Sequence, residues 1–273
     1  MKPAPKTRPS PKAAMSNPRL PPEILDYTID LLHDEPGALK QCCLVSKSWV
    51  PRTRRHLFAR IDFDSTHELE AWKRSFPDPT NSPAYHTLSL FVGCPHFFTV
   101  ADAIEGGWLR AFSRVVELNL YTHFRRRYGS EFSLAPFHNF SPVLKSLRVT
   151  SSIICPRVFN LFCSLPLLED LTIHEFRGGV ADHDEIDLQP TTSAPLTGTF
   201  KFFVNETGPT VRRLLNLPGG LRFRKLVLNW REEDLRWITA LVTGCSDTLE
   251  CLDVERTVHS MFLRFLLLDQ HLT

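Results

Sequence analysis

Leu144-Lys145-Ser146-Leu147-Arg148-Val149 and Leu168-Glu169-Asp170-Leu171-Thr172-Ile173 repeat one pattern, apolar-x-x-apolar-x-apolar, 24 residues apart. The last two apolar residues of each copy are two positions apart, so on a strand they project from the same face. The pattern recurs on both sides. Tyr85/Leu88/Leu90 and Val115/Leu118/Leu120 precede it, and Phe223/Leu226/Leu228 and Leu249/Leu252/Val254 follow, with a weaker copy ending in Phe200/Phe202. The central positions 88, 118, 147, 171, 200, 226 and 252 are separated by 24 to 30 residues. That is at or just above the ~20–29 residues of a leucine-rich repeat.

The chain between successive copies must return across the apolar side. Val158/Leu161/Phe162/Leu165, Val211/Leu214/Leu215, Leu235/Ile238/Val242 and Phe262/Phe265/Leu268 have helical spacing. Strand and helix alternating at a near-constant period predict an α/β fold over residues 64–273: a right-handed, leucine-rich-repeat-like solenoid with a parallel sheet. An α/β sheet without solenoid symmetry is the competing reading, and seven units at similar spacing weigh against it. The repeats are degenerate. The position three after the last strand residue, often Asn or Cys in such repeats, holds Asn only at Asn205, so a regular asparagine ladder is not expected.

Residues alternating with the inward pairs face the other way: Glu117/Asn119/Tyr121, Ser146/Arg148/Thr150, Asp170/Thr172/His174, Thr199/Lys201/Phe203 and Lys225/Val227/Asn229. Tyr121, Arg148, His174, Lys201 and Phe203 are the candidate target-binding residues of this face, because aromatic rings and arginine anchor protein interfaces. The alternative is a solvated face.

The first 63 residues read differently. Residues 1–17 are basic and Pro-rich and are read as a disordered tail. Residues 18–63 are read as a helical module. Leu20-Pro21-Pro22-Glu23 starts a helix with Pro near its first position and an acid in its first turn. Leu25, Ile29 and Leu32 follow at helical spacing, Asp34-Glu35-Pro36-Gly37 turns the chain, and Leu39, Cys42, Cys43 and Trp49 carry a second apolar stripe. So short a piece needs a neighbouring domain or a partner for stability.

Leu20-Pro21-Pro22-Glu23-Ile24-Leu25, Leu31-Leu32, Leu39, Cys42-Cys43-Leu44-Val45-Ser46-Lys47-Ser48-Trp49 and Leu57-Phe58 together resemble the F-box. With the degenerate repeats and Pro195-Leu196-Thr197-Gly198-Thr199, the chain is similar to F-box proteins abundant in mushroom-forming fungi. The resemblance implies docking on a Skp-type adaptor, and through it on a cullin. It implies a role as the substrate-recognition subunit of a cullin–RING (SCF-type) ubiquitin ligase, with the repeats holding a protein target. It further implies adaptor-binding roles for Leu20, Pro21, Ile24, Leu25, Leu32, Val45 and Trp49, although Trp49 reads equally well as a core residue. Asp30 departs from the pattern, occupying a position where many F-boxes carry an apolar or aromatic residue. A non-ligase repeat scaffold, with the F-box segment as its N-terminal cap, is the alternative.

No enzyme signature accompanies this pattern. There is no phosphate-cradling Gly loop, no Gly-x-Ser-x-Gly and no His-Glu-x-x-His, so a non-catalytic subunit without cofactor or metal is expected. Asp182-His183-Asp184-Glu185 has no second ligand cluster and reads as a solvated loop. Arg125-Arg126-Arg127 reads as a solvated loop or as a site for an acidic group. The net charge of +2 arises in the first 19 residues, whose Lys2, Lys6, Arg8, Lys12 and Arg19 meet no acid there; without them the remainder stands at −3. Nucleic-acid binding is therefore not expected.

The seven cysteines are odd in number and scattered, as in a reduced intracellular protein, cytoplasmic or nuclear. Nothing resembles a membrane span or a signal peptide. The apolar Phe262–Leu272 segment just before Thr273 suggests either a truncated C-terminus or an end covered by self-association.

Overall fold

A computed structural model describes residues 21–93, 107–122, 135–140, 142–151, 156–175, 195–203, 207–230 and 235–256. Two compact units divide the chain, Met1–Leu57 and Phe58–Thr273.

The first unit holds three helices, α1 (Pro22–Leu31), α2 (Pro36–Val45) and α3 (Val50–Leu57). Pro21 enters α1 in an extended conformation, and Pro22 opens the helix where its missing N–H costs no hydrogen bond. Pro36 opens α2 in the same way, and Ser46, extended, ends it. Ile29, Leu39, Cys42 and Thr53 are the buried side chains of this unit among the described residues.

The second unit is built on one eight-stranded, all-parallel sheet whose strand order equals the chain order. The strands are β1 (Arg60–Phe63), β2 (Ser89–Val92), β3 (Glu117–Thr122), β4 (Ser146–Ser151), β5 (Asp170–Glu175), β6 (Leu196–Phe203), β7 (Leu221–Trp230) and β8 (Cys251–Arg256). Pairing aligns Ile61, Leu90, Leu118, Leu147, Leu171, Phe200, Leu226 and Leu252 in one row across the sheet. A second row, Phe63, Val92, Leu120, Val149, Ile173, Phe202, Leu228 and Val254, lies two residues further on. From β1 to β7 both rows are buried, and at β8 Leu252 and Val254 are 47% and 41% exposed.

Helical segments close the buried face. The helices α4 (Thr66–Ser75), Pro156–Cys163, Thr207–Leu215 and Leu235–Gly244, with short turns at Gly107–Arg110 and Ala135–Phe140, supply Leu69, Leu109, Phe137, Phe140, Val158, Leu161, Phe162, Val211, Leu214, Ile238 and Leu241 to the same core, and Phe112 joins it just beyond Arg110. Ser65 caps α4 by accepting from the Glu68 N–H, and the Glu68 carboxylate accepts from the Asp64 N–H at 2.7 Å. Each fully buried Leu or Phe contributes about 1.5–3 kcal/mol through loss of apolar contact with water.

The predicted helices at Val158/Leu161/Phe162/Leu165 and Val211/Leu214/Leu215 are present, with all but the half-buried Leu215 buried. In the helix Leu235–Gly244 the packed stripe runs through Ile238 and Leu241, while Leu235 is 57% exposed.

Two parts of the sequence reading are corrected by the pairing. The first repeat lies two residues later than expected: Leu90 and Val92 point inward, whereas Tyr85 and Leu88 are 50% and 40% exposed. Leu88, Leu90 and Val92 alternate, so a shift of two keeps the same face inward and the pattern alone fits either register. Arg60–Phe63, read as part of the helical module, forms β1, and Ile61 precedes its partner Leu90 by 29 residues, within the repeat period.

One irregularity has a visible cause. Phe223 and Leu226 are three apart yet both buried, because the β6–β7 register shifts at Gly198/Thr199, absorbing Arg224. Gly198 has φ +81°, and a Cβ there would collide with the backbone of Glu169.

Candidate functional site

On α1, Ile24, Tyr27 and Leu31 are 51%, 62% and 63% exposed. Their spacing of i, i+3 and i+7 places them on one side of the helix. At the end of α2, Leu44 and Val45 are 80% and 66% exposed. The unit buries few side chains and presents these five large apolar ones to water, the condition expected of a surface awaiting a partner.

Of the residues predicted to bind an adaptor, Ile24, Pro21 and Val45 are exposed, and Leu25, Leu32 and Trp49 are half-buried. Leu20 lies outside the described residues. Tyr27, Leu31 and Leu44 share the exposure of Ile24 and are not among the residues predicted from the sequence. The helical stripe through Leu25, Ile29 and Leu32 marks instead the face of α1 whose central residue, Ile29, is buried. The exposed stripe is readable as a second apolar series on α1, starting at Ile24.

Asp30 does not join the exposed stripe. Its carboxylate accepts from Arg52 Nε at 2.7 Å and from Arg52 Nη2, and it lies 2.7 Å from His56 Nε2. The Arg52 hydrogen bond, and then that of His56, hold the Asp30 carboxyl well below the usual carboxylate range, and Asp30 raises Arg52 in return. The departure from the F-box pattern is thus an ionic tie between α1 and α3.

The second surface is the sheet face opposite the core. All five predicted target-binding residues lie on it, within β3–β6. Asn119, Arg148, Thr172 and Lys201 are in register across these strands, and so are Tyr121, Thr150, His174 and Phe203. Arg148 is exposed, Tyr121, His174, Lys201 and Phe203 are half-buried, and Thr172 is buried. The His174 imidazole stacks on Phe203 with centroids 4.5 Å apart and planes 15° from parallel. Burial first, and then the Arg148 charge, push the His174 imidazole down to about 4, so the stack carries no charge at neutral pH.

Ser164 Oγ lies 2.6 Å from His138 Nδ1 and 2.6 Å from the Leu161 carbonyl. The hydroxyl lies within hydrogen-bond reach of both groups, and burial pushes the His138 imidazole down. The contact ties the turn Ala135–Phe140 to the helix Pro156–Cys163. Cys42, Cys43, Cys245 and Cys251 are free thiols, and burial pushes the Cys163 thiol up to about 11. No group of three metal-ligating side chains occurs among the described residues, and no helix among them is long and apolar enough to cross a membrane. The tail 1–17, Cys94, Cys155, Arg125–Arg127, Asp182–Glu185, Asn205 and Phe262–Leu272 lie outside the described residues.

No protein-family model, curated protein or solved structure matches this chain.

Proposed function

We propose that this chain is a protein-binding, non-catalytic subunit with two separate docking surfaces. Within that class, we infer that it is the substrate-recognition subunit of a cullin–RING ubiquitin ligase. In this reading the helical unit is an F-box that binds a Skp-type adaptor, and the sheet belongs to a right-handed, leucine-rich-repeat-like solenoid that holds a protein target. The ligase core performs the chemistry elsewhere in the assembly, in the cytoplasm or nucleus.

The supporting observation is the exposed stripe Ile24/Tyr27/Leu31 with Leu44 and Val45, carried by the segment that resembles an F-box. Burying it on an adaptor would remove the apolar surface that the unit's own small core leaves in water. The test is co-expression of the full chain with a Skp-type adaptor and a cullin. A ternary complex on size exclusion supports the reading, and a folded chain eluting apart from both proteins rules it out.

A scaffold with the helical unit as an N-terminal cap is the second reading. Its support is the order of the chain: α3 ends at Leu57 and β1, the first strand of the sheet, starts at Arg60, and the terminal repeats of a solenoid need a cap.

A further inference from the structure

On the sheet face opposite the core, the described residues fall into three rows. The row nearest the strand starts is of mixed charge: Glu117, Ser146, Asp170, Thr199 and Lys225. The middle row is Asp62, Phe91, Asn119, Arg148, Thr172, Lys201, Val227 and Asp253, cationic at its centre through Arg148 and Lys201 and acidic at its two ends. The third row holds Tyr121, Thr150, His174 and Phe203 and includes the flat His174–Phe203 stack.

Arg148 and Lys201 form no hydrogen bond or ion pair with the described residues. They sit two strands apart with Thr172 between them in register, a separation of about 9.5 Å at the usual strand spacing. A polyproline-type extended peptide rises ~3.1 Å per residue with three residues per turn. Its residues i and i+3 therefore point the same way about 9.3 Å apart. Such a segment laid across the strands sets two carboxylates over Arg148 and Lys201 and leaves the intervening side chains beside the stack.

We propose that this face binds an extended acidic segment of a partner protein, with carboxylates three residues apart on Arg148 and Lys201 and a planar side chain on His174–Phe203. The inference rests on the receptor reading only in treating the bound segment as the target. Charge complementarity identifies the occupant. Two cations in one row that pair with none of the described residues attract paired carboxylates, and Arg148 can hold one through two parallel hydrogen bonds. Nucleic acid fits less well, because Glu117 and Asp170 flank the cationic row, and Asp62 and Asp253 stand at its ends. A continuous polyanion would be repelled on three sides, whereas a peptide with two acids meets only the cations. The neutral ring of His174 adds a stacking surface.

The test uses the full chain and fluorescence anisotropy. The probes are short labelled peptides containing Glu-Pro-Trp-Glu, Gln-Pro-Trp-Gln or Lys-Pro-Trp-Lys, and oligothymidylate of equal length. Wild type should bind the Glu peptide at least about tenfold more tightly than the Gln peptide. Arg148→Gln with Lys201→Gln should abolish that preference, and Arg148→Glu with Lys201→Glu should reverse it toward the Lys peptide. A reversal cannot come from misfolding. The proposal is overturned if the Glu and Gln peptides bind equally, if neither binds, or if oligothymidylate displaces the Glu peptide from wild type. Adaptor co-purification is measured on the same samples. Its retention without peptide preference removes this inference alone, and its loss with preference intact removes the receptor reading alone.

Discussion

The carboxylate of Asp30 on α1 is held by the guanidinium of Arg52 on α3, with Nε 2.7 Å from Oδ1, and His56 of α3 shares the same carboxylate. A residue that reads in sequence as a defect in a binding stripe thus holds the helices of that unit together. Asp30→Ala should reduce amide protection in α1 and α3 in hydrogen exchange of the full chain. The double variant Asp30→Ala with Arg52→Ala should lose less than the two single effects combined, because the first change leaves Arg52 without its partner. Additive effects would show that the tie carries no coupling.

The same tie sets a pH dependence. Arg52 and His56 hold Asp30 below its unfolded-state pKa, which is about 3.9. A depressed carboxylate contributes stability that is present above the unfolded value and lost as pH falls through the folded one. Protection of α1 and α3 should therefore be steady above about pH 5 and decline in acid. The decline should be smaller in Asp30→Asn and should weaken with added salt, since the pair is about one-third exposed. An identical acid profile in Asp30→Asn would contradict this assignment.

Gly198 is the sharpest backbone requirement in the second unit. Its φ of +81° and its approach to Glu169 admit no side chain, so Gly198→Ala should lower stability by at least about 1–3 kcal/mol. Denaturant melts should show the loss, while Gly220→Ala, at φ +71° with nothing within 4 Å of its Cβ position, should lose less. Equal losses would mean that the contact with Glu169 is relieved elsewhere.

Phe200 and Leu252 hold equivalent positions in one row yet differ in burial, at 0% and 47% exposed. Phe200 also stacks on Phe223 at 4.9 Å. Phe200→Ala should cost about 3–5 kcal/mol in chemical denaturation, as for a large buried aromatic. Leu252→Ala should cost well under half of that. Similar costs would show that β8 is packed as tightly as the interior strands.

The inward rows of β3–β8 were legible because two apolar residues per strand recur at a steady period, and that periodicity survives degenerate repeats. Leu147/Val149 and Leu171/Ile173 are paired as the spacing predicts. The register of β2 was not legible, since Leu88, Leu90 and Val92 satisfy the pattern twice and hydrogen-bonded pairing decides between them. β1 was hidden because Ile61 and Phe63 adjoin the helical stretch and offer only two apolar positions. The exposed stripe of α1 was half legible: Ile24 was identified, but Tyr27 and Leu31 were passed over for the helix face that packs. Ion pairs across 22 residues, such as Asp30 with Arg52, leave no periodic trace.

The exposed apolar stripe of the helical unit is the surface we propose binds an adaptor. The most direct measurement is co-purification of the full chain with a Skp-type adaptor, in wild type and in Ile24→Glu and Leu44→Glu. Both positions are at least half exposed, so the variants should keep the fold, checked by circular dichroism. Wild type should retain the adaptor through size exclusion and each variant should lose it. A folded wild type that binds no adaptor, or variants that bind as well as wild type, would contradict the account.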